Sequence, residues 1–341
     1  MISVLLWLNE AEVYAKALQR AGCGARMDIE FLRSDQDPSQ RQLARTEILL
    51  ARQAPPGLLE KMPKLPWIQA LTAGVEHWVS RPDLRAGIAL TCARGTHRVA
   101  MPENILAALF HLTKPYAQAT LDQRERRWVR RVSEPLAGKT LGILGLGEIG
   151  RELAKKASAL ELRVIGTRRA AEPLPHVDRI YPPEATDAVL AQSDFVLLLL
   201  PLTPQTDGIM NAARFKAMRA SAYLLNFGRG ALVVDADLVQ AVQSKTIAGA
   251  VLDVYRADRS GAVPVHGSRG AGPRHARGAF GTAGLGLALG AQLIRTRGKS
   301  NFATARLRGA RGEAPRRKSP EGISPRIVTD SQSTTIPAPK K

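Results

Sequence analysis

The sequence TLGILGLGEIG occupies residues 140–150. Its first part, Thr140–Leu144, is an apolar run of strand length, and the following stretch, Glu148–Leu160, has the apolar spacing of an amphipathic helix. The turn between them carries three glycines in a GxGxxG pattern. A strand, a glycine-rich turn and a helix in this order predict one βα unit of a parallel sheet.

The three glycines suit a turn that binds a dinucleotide. Gly145 permits the tight turn, Gly147 allows the backbone to approach a pyrophosphate, and Gly150 allows the helix to pack against the strand. The phosphates would then lie at the N-terminus of the helix, where unpaired N–H groups point at them. The alternative is a tight strand–helix turn that binds no ligand.

Apolar runs and amphipathic stretches alternate on both sides of this turn. They predict strands at Val4–Leu8, Asp28–Leu32, Glu47–Ala51, Ile68–Thr72, Ile88–Cys92, Thr140–Leu144, Leu162–Gly166, Asp194–Leu200, Tyr223–Phe227 and Ile247–Leu252. They predict helices at Glu10–Ala21, Pro102–Tyr116, Glu148–Leu160 and Asp235–Ser244. Because the strands after residue 139 are continuously apolar, we expect helices on both faces of a parallel sheet.

Charge is unevenly distributed along the 341 residues, which carry 49 Lys and Arg, 30 Asp and Glu, and a net charge of +19. Residues 256–341 contain 17 basic and 4 acidic residues, with 13 glycines and 7 prolines, and the regular periodicity stops after Tyr255. We expect most of this tail to be disordered, because its composition cannot bury enough apolar surface to offset chain entropy.

A second basic stretch, Arg124–Arg131, surrounds Trp128. Charge runs are common on exposed helix faces, so we expect a solvated connecting helix here. The alternative is a nucleic-acid-binding patch.

Cysteine usage and hydropathy indicate the compartment. The two cysteines, Cys23 and Cys92, form no CxxC pair, which excludes a disulfide scaffold and argues against a zinc site. The short apolar run Ile2–Leu8 is followed by Asn9 and Glu10, which is typical of a buried strand and not of a signal peptide. No stretch reaches the ~18 apolar residues of a membrane span. We therefore expect a cytoplasmic protein with no metal site and no membrane partner.

The residues at the end of the predicted strand Leu162–Gly166 indicate which dinucleotide is bound. NAD-selective sites carry an acid there for the ribose 2′-hydroxyl, whereas Val164–Arg169 reads VIGTRR and has none. The fork of an arginine matches the geometry of a 2′-phosphate. We therefore expect NADP in preference to NAD, with Thr167, Arg168 and Arg169 at the phosphate. The alternative is a pair of solvent-exposed arginines.

Five motifs complete the pattern: ALTAGVE at 70–76, LGILGLGEIG at 141–150, LPLTPQT at 200–206, LNFGRG at 225–230 and AVLDVY at 250–255. Together they resemble the D-isomer-specific 2-hydroxyacid dehydrogenases, most closely the glyoxylate/hydroxypyruvate reductase A branch. The resemblance covers residues 1–255 and then ends.

The resemblance implies an α/β fold with a doubly wound parallel-sheet (Rossmann) cofactor domain and a smaller flavodoxin-like α/β substrate domain. It implies a substrate domain at 1–98 and a cofactor domain at 99–255, followed by the aberrant tail at 256–341. The implied reaction is NAD(P)H-dependent reduction of a small 2-keto acid to the 2-hydroxy acid by hydride transfer. The implied assembly is a homodimer formed through the cofactor domain.

The resemblance also implies roles for individual residues. The loop of Ala73, Gly74 and Val75 would offer backbone N–H groups to the substrate carboxylate. Arg229 would bind the carboxylate and polarise the reacting carbonyl, since a fixed cation stabilises a developing alkoxide. The implied cofactor contacts are Gly145, Gly147, Glu148, Ile149, Gly150, Thr167, Arg168, Arg169, Leu200, Pro201, Thr206, Asn226, Gly228 and Asp253.

The family pattern breaks where its catalytic acid should stand. The family uses a His whose pKa is raised by a Glu, each in a proline-containing context, and neither context exists after Tyr255. One explanation is that Asp258 and His275 replace the pair. The other is that a frameshift near Arg256 produced a foreign C-terminus, which would leave the strand at Ile247–Leu252 as an exposed edge and impair turnover.

The main alternative function is a non-catalytic dinucleotide-binding protein whose basic tail contacts a polyanion. The tail contains the cluster Arg316-Arg317-Lys318 but only two aromatic residues, Phe280 and Phe302. The tail therefore offers few aromatic side chains on which bases could stack, and we do not expect nucleic acid as a partner.

Overall fold

The structure is a computed structural model that describes residues 1–22, 26–170, 172–255 and the backbone of 304–305. These residues fall into two compact units. The first unit contains residues 1–96 and 304–305, and the second contains residues 97–255. Asp258, His275 and almost all of the tail after Tyr255 lie outside the described residues.

Twelve strands and nine helices are present in the described part of the chain. The strands are β1 (Ile2–Trp7), β2 (Met27–Leu32), β3 (Ile48–Ala51), β4 (Trp67–Ala70), β5 (Ala89–Cys92), β6 (Thr140–Leu144), β7 (Arg163–Thr167), β8 (Arg179–Tyr181), β9 (Phe195–Leu198), β10 (Tyr223–Asn226), β11 (Gly249–Leu252) and β12 (Thr304–Ala305). The helices are α1 (Ala11–Arg20), α2 (Gln40–Arg45), α3 (Glu76–Val79), α4 (Ala100–Thr113), α5 (Tyr116–Arg124), α6 (Glu148–Ala159), α7 (Thr186–Gln192), α8 (Ala212–Ala217) and α9 (Asp235–Gln243).

The first unit is built on a sheet with the strand order β12-β5-β4-β3-β1-β2. Its first five strands in the chain are parallel and follow the flavodoxin-like order, in which the chain reverses direction across the sheet between β1 and β3. The two-residue strand β12 pairs antiparallel with β5. The flavodoxin-like α/β unit predicted for the N-terminal part is therefore confirmed.

The second unit is built on an all-parallel sheet with the order β11-β10-β9-β6-β7-β8. Numbered from β6, this is the 3-2-1-4-5-6 order of doubly wound dinucleotide-binding sheets. Side chains of α4 and α6 form the core on one face, and side chains of α7, α8 and α9 form it on the other. The predicted Rossmann architecture is therefore confirmed, and burial on both faces explains the continuously apolar strands.

The predicted strands are all present, with ends that differ by no more than two residues. The sequence patterns missed β8, β12, α2, α3 and α5, and they gave no bounds for α7 and α8, which lie between strands as expected. Strand β11 pairs with β10 and forms the outer edge of the described sheet. None of the described helices is long and apolar enough to cross a membrane.

The predicted helix across Arg124–Arg131 is wrong, whereas the predicted exposure is confirmed, since residues 124–131 are all exposed. Helix α5 ends at Arg124, and Arg126 has a positive φ of 54°. The cause is Asp122, whose buried carboxylate accepts hydrogen bonds from Arg131 Nη2 at 2.6 Å and from Arg127 Nη2 at 3.1 Å. Residues at i+5 and i+9 do not share a helix face with residue i, so the chain leaves the helix to bring both arginines to one carboxylate.

Candidate functional site

The carboxyl ends of five strands form one row in the second sheet. Leu144 pairs with Thr167 and Leu198, Leu198 pairs with Asn226, and Asn226 pairs with Leu252. Each of these residues is the last of its strand. After β8 the chain returns to the middle of the sheet, where β9 pairs with the other side of β6. The boundary between β6 and β9 is therefore the switch point, and α/β sheets bind ligands at such a point. The implied cofactor contacts follow directly after this row.

The glycine-rich turn after β6 has geometry that only glycine adopts easily. Gly145 has a φ of 108°, and a Cβ built on it would lie 3.0 Å from the backbone carbonyl of Leu199. A Cβ on Gly150 would lie 2.9 Å from the carbonyl oxygen of Gly145, so this glycine permits close packing of the helix. A Cβ on Gly147 would meet no atom within 4 Å, so the turn is open at this point.

Helix α6 begins directly after this open turn. Its N-cap is Gly147, which has no side chain to cap the helix, and the Arg151 amide is bonded to the Gly147 carbonyl at 3.0 Å. The amides of Glu148, Ile149 and Gly150 precede this first hydrogen bond, so they are left to other acceptors. The Glu148 carboxylate pairs with the Arg151 side chain. The turn and the helix start thus fit a dinucleotide pyrophosphate.

Arg168 follows β7 beside this turn. Its amide donates to the Tyr181 carbonyl at 3.0 Å, and its Nη1 is buried with no hydrogen-bond partner among the described residues. Thr167 is buried and Arg169 is exposed. A buried, unpartnered guanidinium nitrogen is costly, so its presence fits an anionic group on the ligand.

The turn at 200–206 follows β9. Leu200 is half-buried and Pro201 is exposed. The Thr206 hydroxyl donates to the Pro201 carbonyl at 2.7 Å and accepts from the Thr203 amide at 2.8 Å. Thr206 therefore closes the turn on itself. Sequence reasoning missed Thr203, although hydroxyl residues three apart in a proline-flanked segment are a recognisable turn signal.

Arg229 lies in the turn that follows β10. The turn begins with Asn226, whose side chain is 1% exposed and bonds to the backbone of Gly228 and Arg229. Arg229 is half-buried, and its Nη1 donates to the Gly228 carbonyl at 2.9 Å. The guanidinium group is therefore fixed at the carboxyl edge of the sheet.

Asp253 follows β11, next in the same row. Its amide donates to the Asn226 carbonyl at 2.9 Å. Partial desolvation raises the pKa of its carboxyl group above the ordinary range. Desolvation and the neighbouring Asp253 also raise the pKa of the Tyr255 hydroxyl.

The loop implied to bind substrate belongs to the first unit, where it follows β4. Ala73 is exposed, and Gly74 and Val75 are half-buried. The Thr72 hydroxyl donates to the Gly74 carbonyl at 2.7 Å, and Val75 is the N-cap of α3. The side chain of Thr72 thus fixes the bend of this loop.

The implied acid–base residues Asp258 and His275 are outside the described residues, so their geometry stays a prediction. Within the described ranges, no group of three His, Cys, Asp or Glu side chains is arranged to hold a metal ion. The described cysteine, Cys92, is buried at the end of β5.

Comparison with known proteins identifies the family. The family described as "D-isomer specific 2-hydroxyacid dehydrogenase, NAD binding domain" matches residues 106–266, a range that extends past Tyr255. A D-isomer-specific 2-hydroxyacid dehydrogenase family protein of known structure from Klebsiella pneumoniae is 32% identical, with a TM-score of 0.62 over 75% of this chain and 81% of that chain. This chain belongs to the D-isomer-specific 2-hydroxyacid dehydrogenase family.

Two further relatives have names that state a substrate. The NADPH-dependent glyoxylate/hydroxypyruvate reductase of Sinorhizobium meliloti, solved with NADP and sulfate, is 27% identical, with a TM-score of 0.67 over 76% of this chain and 82% of that chain. D-3-phosphoglycerate dehydrogenase 1 of Saccharomyces cerevisiae is 33% identical over 181 residues, which are 50% of this chain and 36% of the yeast protein. The chain spans about a third to three fifths of the length of several curated relatives.

Proposed function

We propose that this chain binds NADP(H) and reduces a small 2-keto acid, with glyoxylate and hydroxypyruvate as the first substrates to test. The row of strand ends in the second sheet carries this proposal. It places the glycine-rich turn, Arg168 and Arg229 at one edge, beside the switch point. Cofactor phosphates and the substrate carboxylate are anions, and this edge offers cations and backbone amides to both.

The cofactor supplies a hydride when it is bound. The amides at the start of α6 would bind the pyrophosphate, and Thr167, Arg168 and Arg169 would bind the 2′-phosphate. Two observations support NADP over NAD: Arg168 Nη1 has no partner among the described residues, and residues 167–169 contain no acid. Asp253 would contact the nicotinamide carboxamide.

Arg229 would hold the substrate carboxylate and stabilise negative charge on the carbonyl oxygen. The Ala73–Val75 loop would provide backbone N–H groups to a substrate carboxylate, as the family resemblance implies. The proton would come from His275 with Asp258 beside it, or, if the C-terminus is a frameshift product, the chain would lack this acid and turn over poorly.

The test follows NADPH oxidation by the full chain with glyoxylate and with hydroxypyruvate, alongside NADPH binding. We expect binding, with turnover slower than that of an ordinary reductase. Failure to bind NADPH would refute the proposal, and turnover at an ordinary reductase's rate would refute the impairment. Resequencing of the locus together with intact-mass measurement of the native protein distinguishes the two origins of the tail, because an in-frame gene that yields the full 341-residue mass would exclude a frameshift.

The net charge of residues 256–341 favours a second candidate, a non-catalytic dinucleotide-binding protein whose tail binds a polyanion. Nucleic-acid binding measured at two salt concentrations separates the two. A strong, salt-dependent affinity without keto-acid reduction would favour the second candidate.

For the partner, we propose a second copy of this chain, bound through the predicted cofactor domain. Trp128 is 97% exposed and Val132 is 88% exposed, and both lie in the segment held by Asp122. Contiguous apolar patches mark interaction surfaces, and the closeness of these two side chains in one short segment supports such a surface here. We expect Trp128→Ser to shift the chain from dimer to monomer in light scattering, and an unchanged mass would count against this surface.

The sparse cysteines support a cytoplasmic location.

A further inference from the structure

We propose that Asn226 is a positioning residue for Arg229 and not a direct contact of the cofactor. The inference rests on the proposed function, since it concerns how the arginine implied to bind substrate is held. It departs from the role that the family resemblance implies for Asn226.

Both polar atoms of the Asn226 side chain are bonded inside the turn that it begins. Its Oδ1 accepts from the Gly228 amide at 3.1 Å, and its Nδ2 donates to the Arg229 carbonyl at 2.9 Å. The side chain is buried at 1% exposure. Both of its polar atoms thus bind the two residues that lead to and carry the guanidinium group.

The turn has little freedom to hold Arg229 in another way. A Cβ on Gly228 would lie 2.9 Å from Leu232 Cδ1 and 3.0 Å from the Leu200 carbonyl oxygen, so the backbone is tightly enclosed there. The Arg229 carbonyl also accepts from the Leu232 amide at 3.1 Å. Arg229 itself is extended, with φ −138° and ψ 142°.

The guanidinium group is tied to the same turn. Arg229 Nη1 donates to the Gly228 carbonyl, which belongs to the residue whose amide Asn226 binds. A rotation of the Gly228 or Arg229 peptide therefore moves the guanidinium group. The Asn226 side chain restrains both peptides, since its Nδ2 donates to the Arg229 carbonyl and its Oδ1 accepts from the Gly228 amide.

The variant Asn226→Asp isolates this control. Aspartate has nearly the same size and keeps the acceptor for the Gly228 amide, but it replaces the Nδ2 donor with an oxygen that faces the Arg229 carbonyl. Two facing acceptors repel, so the turn must rotate. Asn211→Asp is the matched control, because the Asn211 side chain accepts from the Arg214 amide at the start of α8, a bond that aspartate keeps.

The experiment uses the full chain and two ligands, NADPH alone and oxamate, an unreactive mimic of a 2-keto acid, added to the NADPH complex. For Asn226→Asp we expect the oxamate Kd to rise about tenfold or more while the NADPH Kd changes by less than about threefold. In an Arg229→Ala background, Asn226→Asp should weaken oxamate binding no further. Asn211→Asp should change neither Kd, and thermal melts confirm that each variant is folded.

Two outcomes would overturn the role of Asn226. One is a loss of NADPH affinity as large as the loss of oxamate affinity, which would mark a direct cofactor contact. The other is a further loss of oxamate binding when Asn226→Asp is added to Arg229→Ala. Failure of the unsubstituted chain to bind oxamate would instead refute the proposed function, and this inference with it.

Discussion

The first strand–helix turn of each unit occupies the same place in a parallel sheet, yet the two turns differ in what they can bind. In the second unit, β6 leads through glycines into α6, whose N-cap has no side chain. In the first unit, β1 leads through Leu8, Asn9 and Glu10 into α1. Leu8 is buried, and Glu10 is the N-cap and pairs with Arg52 at 3.3 Å.

The difference shows that the architecture alone does not make an anion site. A helix N-terminus attracts negative charge in both units, and each has a carboxylate nearby, Glu10 paired with Arg52 in the first unit and Glu148 paired with Arg151 in the second. In the second unit the turn is open at Gly147, and the buried Nη1 of Arg168 lies at the end of the next strand. The proposed anion site therefore depends on the local sequence at one of two similar turns.

The largest expected effect comes from closing the glycine-rich turn. Gly145→Ala places a Cβ 3.0 Å from the Leu199 carbonyl at a φ of 108°. We expect a loss of stability of about 1–3 kcal/mol and a rise in the NADPH Kd of more than about 100-fold. Chemical denaturation and fluorescence titration measure the two.

Gly138→Ala is the control for this change. Gly138 has a φ of 76°, but its Cβ would meet no atom within 4 Å. This variant introduces backbone strain without crowding and outside the glycine-rich turn. The stability of the fold should therefore fall, while the NADPH Kd stays that of the unsubstituted chain. Equal losses of NADPH affinity in both variants would show that general strain, and not the turn, determines binding.

Removing the charge at the end of β7 should have the next largest effect. We expect Arg168→Gln to raise the NADPH Kd by about 10- to 100-fold, the size of one lost bond to a charged group. The NADH Kd should change by less than about threefold. Arg163→Gln, at the exposed start of the same strand, is the matched control and should change neither. Equal losses for both cofactors would contradict a 2′-phosphate contact.

A change in the first unit tests the other side of the comparison. Glu10→Gln removes the carboxylate at the N-terminus of α1, and we expect it to cost about 0.3–1 kcal/mol. Calorimetry should still find one NADPH bound per chain, because the turn keeps Leu8 and gains no glycine. A second bound NADPH would mean that Glu10 alone had blocked an anion site there.

The smallest effect concerns pH and the segment beside α5. The hydrogen bond from Arg131 holds the pKa of Asp122 below its usual range. The ion pair therefore stabilises the fold above the unfolded-state pKa of about 4 and loses this contribution as pH falls through the lower, folded-state pKa. We expect Asp122→Asn to lower the melting temperature at neutral pH, with a gap that narrows in acid. A gap independent of pH would show that the charge of Asp122 is not involved.

The glycine-rich turn was predictable from sequence because its strand, turn and helix are adjacent in the chain. The setting of Arg168 was not, since its amide is held by Tyr181 on the short strand β8, whose three residues carry little periodicity. The segment after α5 was predicted wrongly because Asp122 binds arginines that lie beyond the helix end. Local patterns report local structure, whereas pairing across longer separations depends on the folded chain.

The most direct test of this account is calorimetric titration of the full chain with NADPH and, separately, with NADH. We expect one NADPH per chain, bound at least about tenfold more tightly than NADH, since one charge-assisted bond to the 2′-phosphate contributes this much. Equal affinities for the two cofactors, or no binding of either, would contradict it.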